Sequence, residues 1–454
     1  MLTGRFTNAP HIARLRAIRD SRAMVRDPIA VFETYRAELG ATFSVHFGGV
    51  RPAIVTTDPA VIEHVLRVNR DGYVKSEIQV ERMVEFQGRG LVNIHGEEWM
   101  RQRKLLAQGF KPPHLAKLLP MQQEVLHDLM QDFDQAARRG PIDIHQSMVR
   151  FTLRLVGRSL FGRSIPGAEL DRLGEIIAAI QEFVLRQIVQ PWKIPWFRLS
   201  GETERYQRLR REGDAIALRH IRSRIADGLG ETDFLRIVLE TPYHDTGCPM
   251  DQSLALIETL QMLVAGNETS SNALTWVFHL LSQHPDHVAA IRAEVGRVIG
   301  DAPVDPAMLH RLEHSARVVH EALRLYPPFW MIDRIALQDD AVAGLHIPKG
   351  TMVIPYIYGT HRNPAHWPDA ERFDPSRFAA AHDADRHAFA FLPFGGGPRT
   401  CIGNNMAMQQ ILLIVAAVVR RYDFAPASAD PVIARPMMLL RPAGAVPLTF
   451  RPVA

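Results

Sequence analysis

The chain is poor in cysteine, in long apolar runs and in net charge. Its 454 residues include two cysteines, Cys248 and Cys401. That excludes a disulfide framework and points to a reducing compartment. No stretch of roughly 18 apolar residues occurs, so the sequence offers no membrane span. The formal charge is +4, and no basic–aromatic pattern accompanies it. Nucleic acid is therefore not an expected partner. No Ser/Gly-rich linker, internal repeat or low-complexity tract divides the chain. The 20 histidines read as solvated or hydrogen-bonded side chains, and no zinc site is expected of them. What is present is a 46% hydrophobic composition, enough for a large core.

The N-terminus holds Arg5, Arg14, Arg16, Arg19, Arg22 and Arg26 with a single acid, Asp20. It reads as an organellar transit peptide or as an amphipathic leading helix with Ile12, Leu15 and Ile18 on one face. The direct run into Asp27-Pro28 and the helical stretch 29–39 favours the helix. Residues 42–47 and 50–57 alternate around Gly48-Gly49, which predicts a β-hairpin. Asp58-Pro59 opens a helix through Val68. Residues 73–93 are Gly-punctuated and predict a long loop. Residues 97–110 are helical in pattern, with Trp99 and Arg103 one turn apart on one face.

From 115 to 227 the pattern is helix after helix, broken at Gly140-Pro141, Gly162 and Pro166-Gly167. Within it, residues 190–197 carry Pro191, Pro195, Trp192, Trp196 and Phe197. Two prolines exclude a regular helix. Such an apolar loop packs inward, caps a pocket as a lid, or meets a membrane surface. Residues 251–284 then predict one helix of over 30 residues, about 45–50 Å at ~1.5 Å per residue. In it, Ala265, Gly266 and Ala273 place small residues around Thr269. That face leaves room for a flat ligand, or serves a helix–helix crossing. Further on, Glu321 and Arg324 sit at i, i+3 before Tyr326-Pro327-Pro328, a local ion pair on a helix that the prolines end. Residues 335–356 predict short strands broken at Gly344 and Gly350. The tail 431–453 is β-like, with a turn at Met437-Met438-Leu439.

The densest chemistry lies in Phe394-Gly395-Gly396-Gly397-Pro398-Arg399-Thr400-Cys401-Ile402-Gly403. Glycines let backbone approach a ligand closely. A helix start after Cys401 and the charge of Arg399 both favour a thiolate. A thiolate is a nucleophile or a metal ligand; the plain alternative is a buried cysteine in a glycine turn. A phosphate-cradling loop is excluded, because the Lys-Ser/Thr that ends one is missing.

This decapeptide resembles the haem-binding loop of the cytochrome P-450 family, Phe-x-x-Gly-x-Arg-x-Cys-x-Gly, at every fixed position. Ala265-Gly266-Asn267-Glu268-Thr269-Ser270 resembles that family's distal-helix signature. Trp99-x-x-x-Arg103 and Glu321-x-x-Arg324 resemble two further elements, and all stand in the family's order. Many soluble bacterial members have His where Trp99 stands, so this position is similar to the other branch. The resemblance implies that Cys401 is the proximal thiolate of a haem iron, shielded by Phe394 and Gly395. Arg399, Trp99, Arg103 and Arg334 would meet the haem propionates. Ala265 and Gly266 would lie against the ring. Thr269 and Glu268 would hold dioxygen and relay protons. Glu321, Arg324 and Arg377 would form a buried structural network. Ala265, Trp330, Met331, Ile332 and Met438 would line the substrate pocket.

The implied fold is mainly α with a small β portion: the cytochrome P-450 fold, a triangular single domain over 1–454 around a buried haem. The β portion would lie at about 40–60, 335–356 and 430–453. The implied activity is a haem-thiolate monooxygenase of a soluble bacterial type, cytoplasmic and monomeric. It would insert one atom of O₂ into an apolar small molecule such as a fatty acid or terpenoid. The cofactor would be haem b, iron protoporphyrin IX. The stretch after Cys401 is short, so no fused reductase is expected. Electrons would pass from NAD(P)H through a ferredoxin reductase and a ferredoxin, docked at Arg101, Lys104, Arg420 and Arg421. Two alternatives stand beside this reading. A haem-thiolate peroxygenase or isomerase is disfavoured by the intact Glu268-Thr269 pair. A non-enzymatic haem sensor or carrier would need no proton relay.

Overall fold

Residues 42–47 and 51–56 form the expected antiparallel pair, Thr42–Phe47 with Arg51–Thr56, in register from Thr42↔Thr56 to Phe47↔Arg51. The computed structural model describes residues 6–47, 49, 51–162, 165–383 and 385–453, so Gly48 and Val50 of the predicted turn lie outside the described residues. Strand Arg51–Thr56 runs parallel to Met352–Pro355, its neighbour on the other side. That strand pairs antiparallel with Arg334–Ala336, which pairs in turn with Tyr73–Val74. The sheet thus joins stretches some 300 residues apart, a pairing no local pattern encodes. Ile54, Ile62, Leu66, Val353, Phe389 and Leu392 make the core packed with it. The helix from Pro59 continues, as expected, to Val68, though its second half, His64–Val68, is a π turn.

These elements belong to one of two compact units. The first is built from Met1–Ser76, His320–Cys401 and Ala434–Ala443; the second from Glu77–Val319, Ile402–Ile433 and Gly444–Ala454. The second unit is mainly helical. Its helices include Gly96–Leu106, Pro112–Ala137, Ile144–Phe161, Gly167–Val189, Glu202–Asp227 and Gln252–Gln283. Local chemistry sets their ends. The side chain of Asp143 accepts from His145 N–H, and that of Asp251 from Ser253 N–H. Gly162, at φ +67°, ends its helix in the left-handed region. The 32 residues of Gln252–Gln283 form one unbroken helix. Thr152 of Ile144–Phe161 locks onto it by donating to Asn267 Oδ1 at 2.7 Å. A small antiparallel sheet joins Ile142–Asp143, Pro447–Pro452 and Tyr422–Pro426. The mainly α fold with a small β portion is therefore the observed one, and among the described residues no helix is long and apolar enough to cross a membrane.

Three expectations need correction. Residues 73–93 are not one loop: strand Tyr73–Val74, a π turn Ile78–Arg82 and helix Met83–Gln87 occupy much of it. The leading segment is two short helices, Arg14–Arg19 and Ser21–Arg26, rather than one with a buried apolar face. Leu15 and Ile18 are exposed, and Ile12 is buried ahead of the helix, where its N–H joins Ser44 O at 2.9 Å. Residues 190–197 are helical after all, a 3₁₀ turn Pro191–Lys193 followed by α-helix Ile194–Leu199. Pro195 falls in the first turn, where its missing N–H has no partner to lose. Phe197 is buried, with its ring 5.5 Å from that of Phe183 and beneath the Arg186 guanidinium. Trp192 and Trp196 are 66% and 65% exposed, so inward packing applies to the phenylalanine alone.

Candidate active site

The cysteine loop rests on the core of the first unit. Leu392 is buried, and its carbonyl accepts from Gly395 N–H at 3.1 Å. Phe394 O accepts from Cys401 N–H at 2.9 Å and closes the loop. Gly395 and Gly397 stand at φ +74° and +68°. A side chain on Gly397 would collide with the carbonyl oxygen of Leu66 in the His64–Val68 turn. The loop is thus pressed against that turn, which only glycine permits. Cys401 is exposed and in no disulfide.

Behind the loop, Glu321 and Arg324 are fully buried and bidentate, with N–O distances of 2.7 and 2.8 Å. Arg377 Nε stands 3.5 Å from the same carboxylate, and Asp374 N–H donates to it at 2.9 Å. Arg324 also donates to the carbonyls of His361 and Ala370, at 2.8 and 2.7 Å. The three residues expected to cluster therefore share one buried network. A fourth, His361, links it to the loop. Its Nε2 accepts from Leu392 N–H at 2.8 Å, so its Nδ1–H faces Arg324 O at 3.2 Å. Burial, then the Arg324 charge, pushes the imidazole down to about 3, so it is neutral.

The same unit gathers cations. Tyr73 and Val74 pair with Ala336 and Ile335. Continuing that register sets Lys75 opposite Arg334, with side chains on one face of the sheet. Arg399 of the cysteine loop lies near enough to act on Lys75. Burial, then Arg334 and Arg399, pushes the Lys75 ammonium down to about 7, against the opposing carboxylate of Asp333. Asp333 is otherwise engaged by Ser76 N–H at 3.2 Å. Three cations beside one carboxylate leave an excess of positive charge, which suits an anionic ligand. Arg334 and Arg399 were legible in the sequence; Lys75 was not, because its only signal is strand register.

In the second unit, Thr269 donates its hydroxyl to Ala265 O at 2.6 Å. Ala265 is exposed, while Glu268 and Thr269 are half-buried. Gly266 faces elsewhere: a Cβ there would sit 3.2 Å from Val156, so this glycine serves the crossing with Ile144–Phe161. The small-residue face is thus divided between a helix contact and an open side. Trp99 and Arg103 are half-buried, one turn apart on Gly96–Leu106. Of the expected docking cations, Arg420 is paired with Asp301 at 2.6 Å and Arg421 with Asp134. Arg101 lies 3.4 Å from Asp245 and over the Tyr243 ring. Lys104 is exposed.

Trp330 was expected to line the pocket. It is buried, donates Nε1–H to Met437 O at 2.9 Å, and packs against Phe32 and Tyr356. An indole that can bury its bulk and still satisfy its N–H is held by the core. Ile332 is half-buried against the core cluster, and Met331 is half-buried. Met438 is half-buried at the tip of the hairpin of Ala434–Pro436 and Leu440–Pro442.

The donor set has a coherent chemistry. An accessible thiol on a loop closed by its own backbone suits a bond to a metal such as iron, and the cations of the same unit suit carboxylates. These residues fit haem, whose ring carries two propionates.

Comparison with known proteins agrees. The family described as Cytochrome P-450 matches residues 19–450. Cyclooctat-9-en-7-ol 5-monooxygenase of Streptomyces melanosporofaciens is 28% identical, over 89% of this chain and 86% of its own length. Cytochrome P-450 734A5 of Oryza sativa subsp. japonica is 30% identical, over 93% and 81%. Protein LUTEIN DEFICIENT 5, chloroplastic, of Arabidopsis thaliana is 28% identical, over 89% and 70%. With a match across nearly its whole length, the chain belongs to the cytochrome P-450 family and is a monooxygenase of that family.

Proposed function

We propose that this monooxygenase inserts one atom of O₂ into an apolar terpenoid or fatty-acid-like substrate and reduces the other to water, using two electrons and two protons. The observation that carries the reading is the Cys401 loop, rigidly closed and tied through His361 to a buried ion-pair network. Haem b, when bound, supplies the redox-active iron at which dioxygen is reduced. Cys401 would hold that iron as a thiolate, with Phe394 and Gly395 shielding the sulfur. Arg334, Arg399 and Lys75, with Trp99 and Arg103, would neutralise the propionates.

The distal residues divide the proton work. Thr269 spends its own hydroxyl hydrogen on Ala265 O. Its oxygen lone pairs are then left to accept from a water or a protonated group on the open side of the helix. Glu268 is half-buried and next in sequence, an acid that can take a proton from solvent and pass it inward. Ala265 would bound the substrate side. An apolar substrate draws support from the name of the Streptomyces relative, which describes oxygenation of a cyclic alkenol. Electrons would come from NAD(P)H through a separate ferredoxin reductase and ferredoxin, in the cytoplasm, to a monomeric enzyme. Because Arg101, Arg420 and Arg421 already carry acidic partners, Lys104 is the docking cation we favour.

The test is spectral and then stoichiometric. The reduced protein exposed to carbon monoxide should show the strongly red-shifted Soret band of a thiolate-ligated haem. A histidine-type band, or no haem, would overturn the reading. Thr269→Ala should keep that band but divert most electrons from product to peroxide or water. Unchanged coupling would favour a peroxygenase or a carrier instead.

A further inference from the structure

Residues 88–94 are bound to the long helix by hydrogen bonds that the proposed reaction does not use. The segment first ties itself together. Asn93 Nδ2 donates to Gly88 O at 2.7 Å, and its Oδ1 accepts from Gly90 N–H at 2.9 Å. Two side chains of Gln252–Gln283 then hold it, Glu258 and Gln261, at i, i+3 on one face. Both oxygens of Glu258 accept from Leu91 N–H, at 2.9 and 3.1 Å. Gln261 Oε1 accepts from Val92 N–H at 3.1 Å, and its Nε2 donates to Gly88 O at 3.1 Å. The approach is close: a Cβ on Gly90 would stand 2.8 Å from Gln261 Oε1. Glu258 is wholly buried and Gln261 almost so. Ala265 lies one turn beyond Gln261 on the same helix face, and Thr269 one turn beyond Ala265.

A buried ionisable carboxyl is a costly way to accept from a backbone amide that a glutamine could also satisfy. Stability alone does not account for it. We propose that Glu258 is a positioning residue which, with Gln261, docks the 88–94 loop beside Ala265–Thr269 and so sets how readily a ligand reaches that stretch. The role in access rests on the proposed function, while the docking stands on these contacts alone.

Charge makes the docking responsive to pH. The Glu258 carboxyl is pushed up to about 7, chiefly by burial; the Leu91 amide opposes the rise and the charge of Glu98 adds to it. Glu98 is itself paired with Arg89 at 2.6 Å. Tyr243 feels the charges of Glu258, Glu98 and Asp245, and carries Arg101 over its ring. A released loop would let Glu258 hydrate and return to its ordinary range. The docked state therefore holds a proton that the released state does not. Docking weakens as pH rises from the ordinary carboxylate range towards 7, then levels off.

Hydrogen exchange on the holoenzyme tests the docking, and 4-phenylimidazole binding tests the access. In Glu258→Ala, exchange at the Leu91 and Val92 amides should rise about tenfold, as expected when a buried amide loses its hydrogen-bond partner. Glu258→Gln should restore protection at pH 7 and flatten its pH dependence. Dissociation of 4-phenylimidazole, read from the Soret band, should accelerate in Glu258→Ala and recover in Glu258→Gln. Unchanged exchange in Glu258→Ala would overturn the docking. Altered exchange with unchanged dissociation, in protein that keeps the thiolate carbon monoxide band, would overturn the access role. A wild type without that band, but with Glu258-dependent exchange, would sink the haem reading and leave the docking in place.

Discussion

His361 is neutral in the folded protein and takes up a proton when the chain unfolds in acid. Its folded value of about 3 lies well below the ordinary 6.5. A group depressed in this way lends stability above 6.5, and that stability drains as pH falls from 6.5 towards 3. The contribution is on the order of a few kcal/mol. His361→Gln keeps a donor and an acceptor but cannot take up that proton. Its urea-unfolding free energy should fall less steeply than the wild type's between pH 6.5 and 3; equal slopes would show that His361 titrates normally. Lys75 makes the opposite kind of test. Its ammonium is depressed to about 7 from 10.5, so its charged form burdens the folded apoprotein below pH 7. That burden lifts as pH rises from 7 to 10.5. Lys75→Met should therefore make the apoprotein more stable than wild type at neutral pH, with the gap closing towards pH 10.5. The same variant should lose haem to apomyoglobin faster, and Lys75→Arg should slow that loss again.

At the scale of the element, the segment from Pro191 to Leu199 shows one helix with two unlike faces. Phe197 fills a site between Phe183 and Arg186, and Arg186 is held there by a bidentate pair with Glu202 at 2.6 and 3.1 Å. Phe197→Ala should cost about 3–5 kcal/mol of stability, the usual range for an aromatic removed from a core. Trp192→Ser and Trp196→Ser should each stay within about 0.5 kcal/mol of wild type, because both indoles are already in water. Thermal unfolding of the three variants decides this, and a large loss at either tryptophan would contradict the exposed placement. The element also shows why proline was misread. Proline forbids a helix interior but suits a helix start, and two prolines four residues apart mark two starts.

Across the whole molecule, the firmest feature is the Glu321–Arg324 network behind the cysteine loop. Glu321→Ala would leave Arg324 buried without its carboxylate, a loss of about 3–5 kcal/mol. Because Arg324 faces His361, and His361 holds Leu392, the damage should reach the Cys401 loop. The expected result is weak haem retention and conversion of the thiolate-type carbon monoxide band to an ordinary one. A variant that keeps the full band would show that the loop is held without this network.

The sequence by itself determined whatever is contiguous. The cysteine loop, the Ala265–Ser270 stretch and the Glu321–Arg324 pair each sit within a turn or two of chain, so spacing fixes which side chains meet. The 32-residue helix and the Thr42–Thr56 hairpin follow for the same reason, since periodicity reports short-range geometry. Tertiary structure alone decided the rest. Lys75 meets Arg334 through strand register, and His361 meets Leu392 across 31 residues. Glu258 reaches Leu91 across 167, and Trp330 is drawn into the core by partners at Phe32 and Met437. Each of these is a wholly or partly buried polar or aromatic group whose partner lies far off in the chain. Nothing local distinguishes such a group from a solvated one until burial demands that its hydrogen bonds be met.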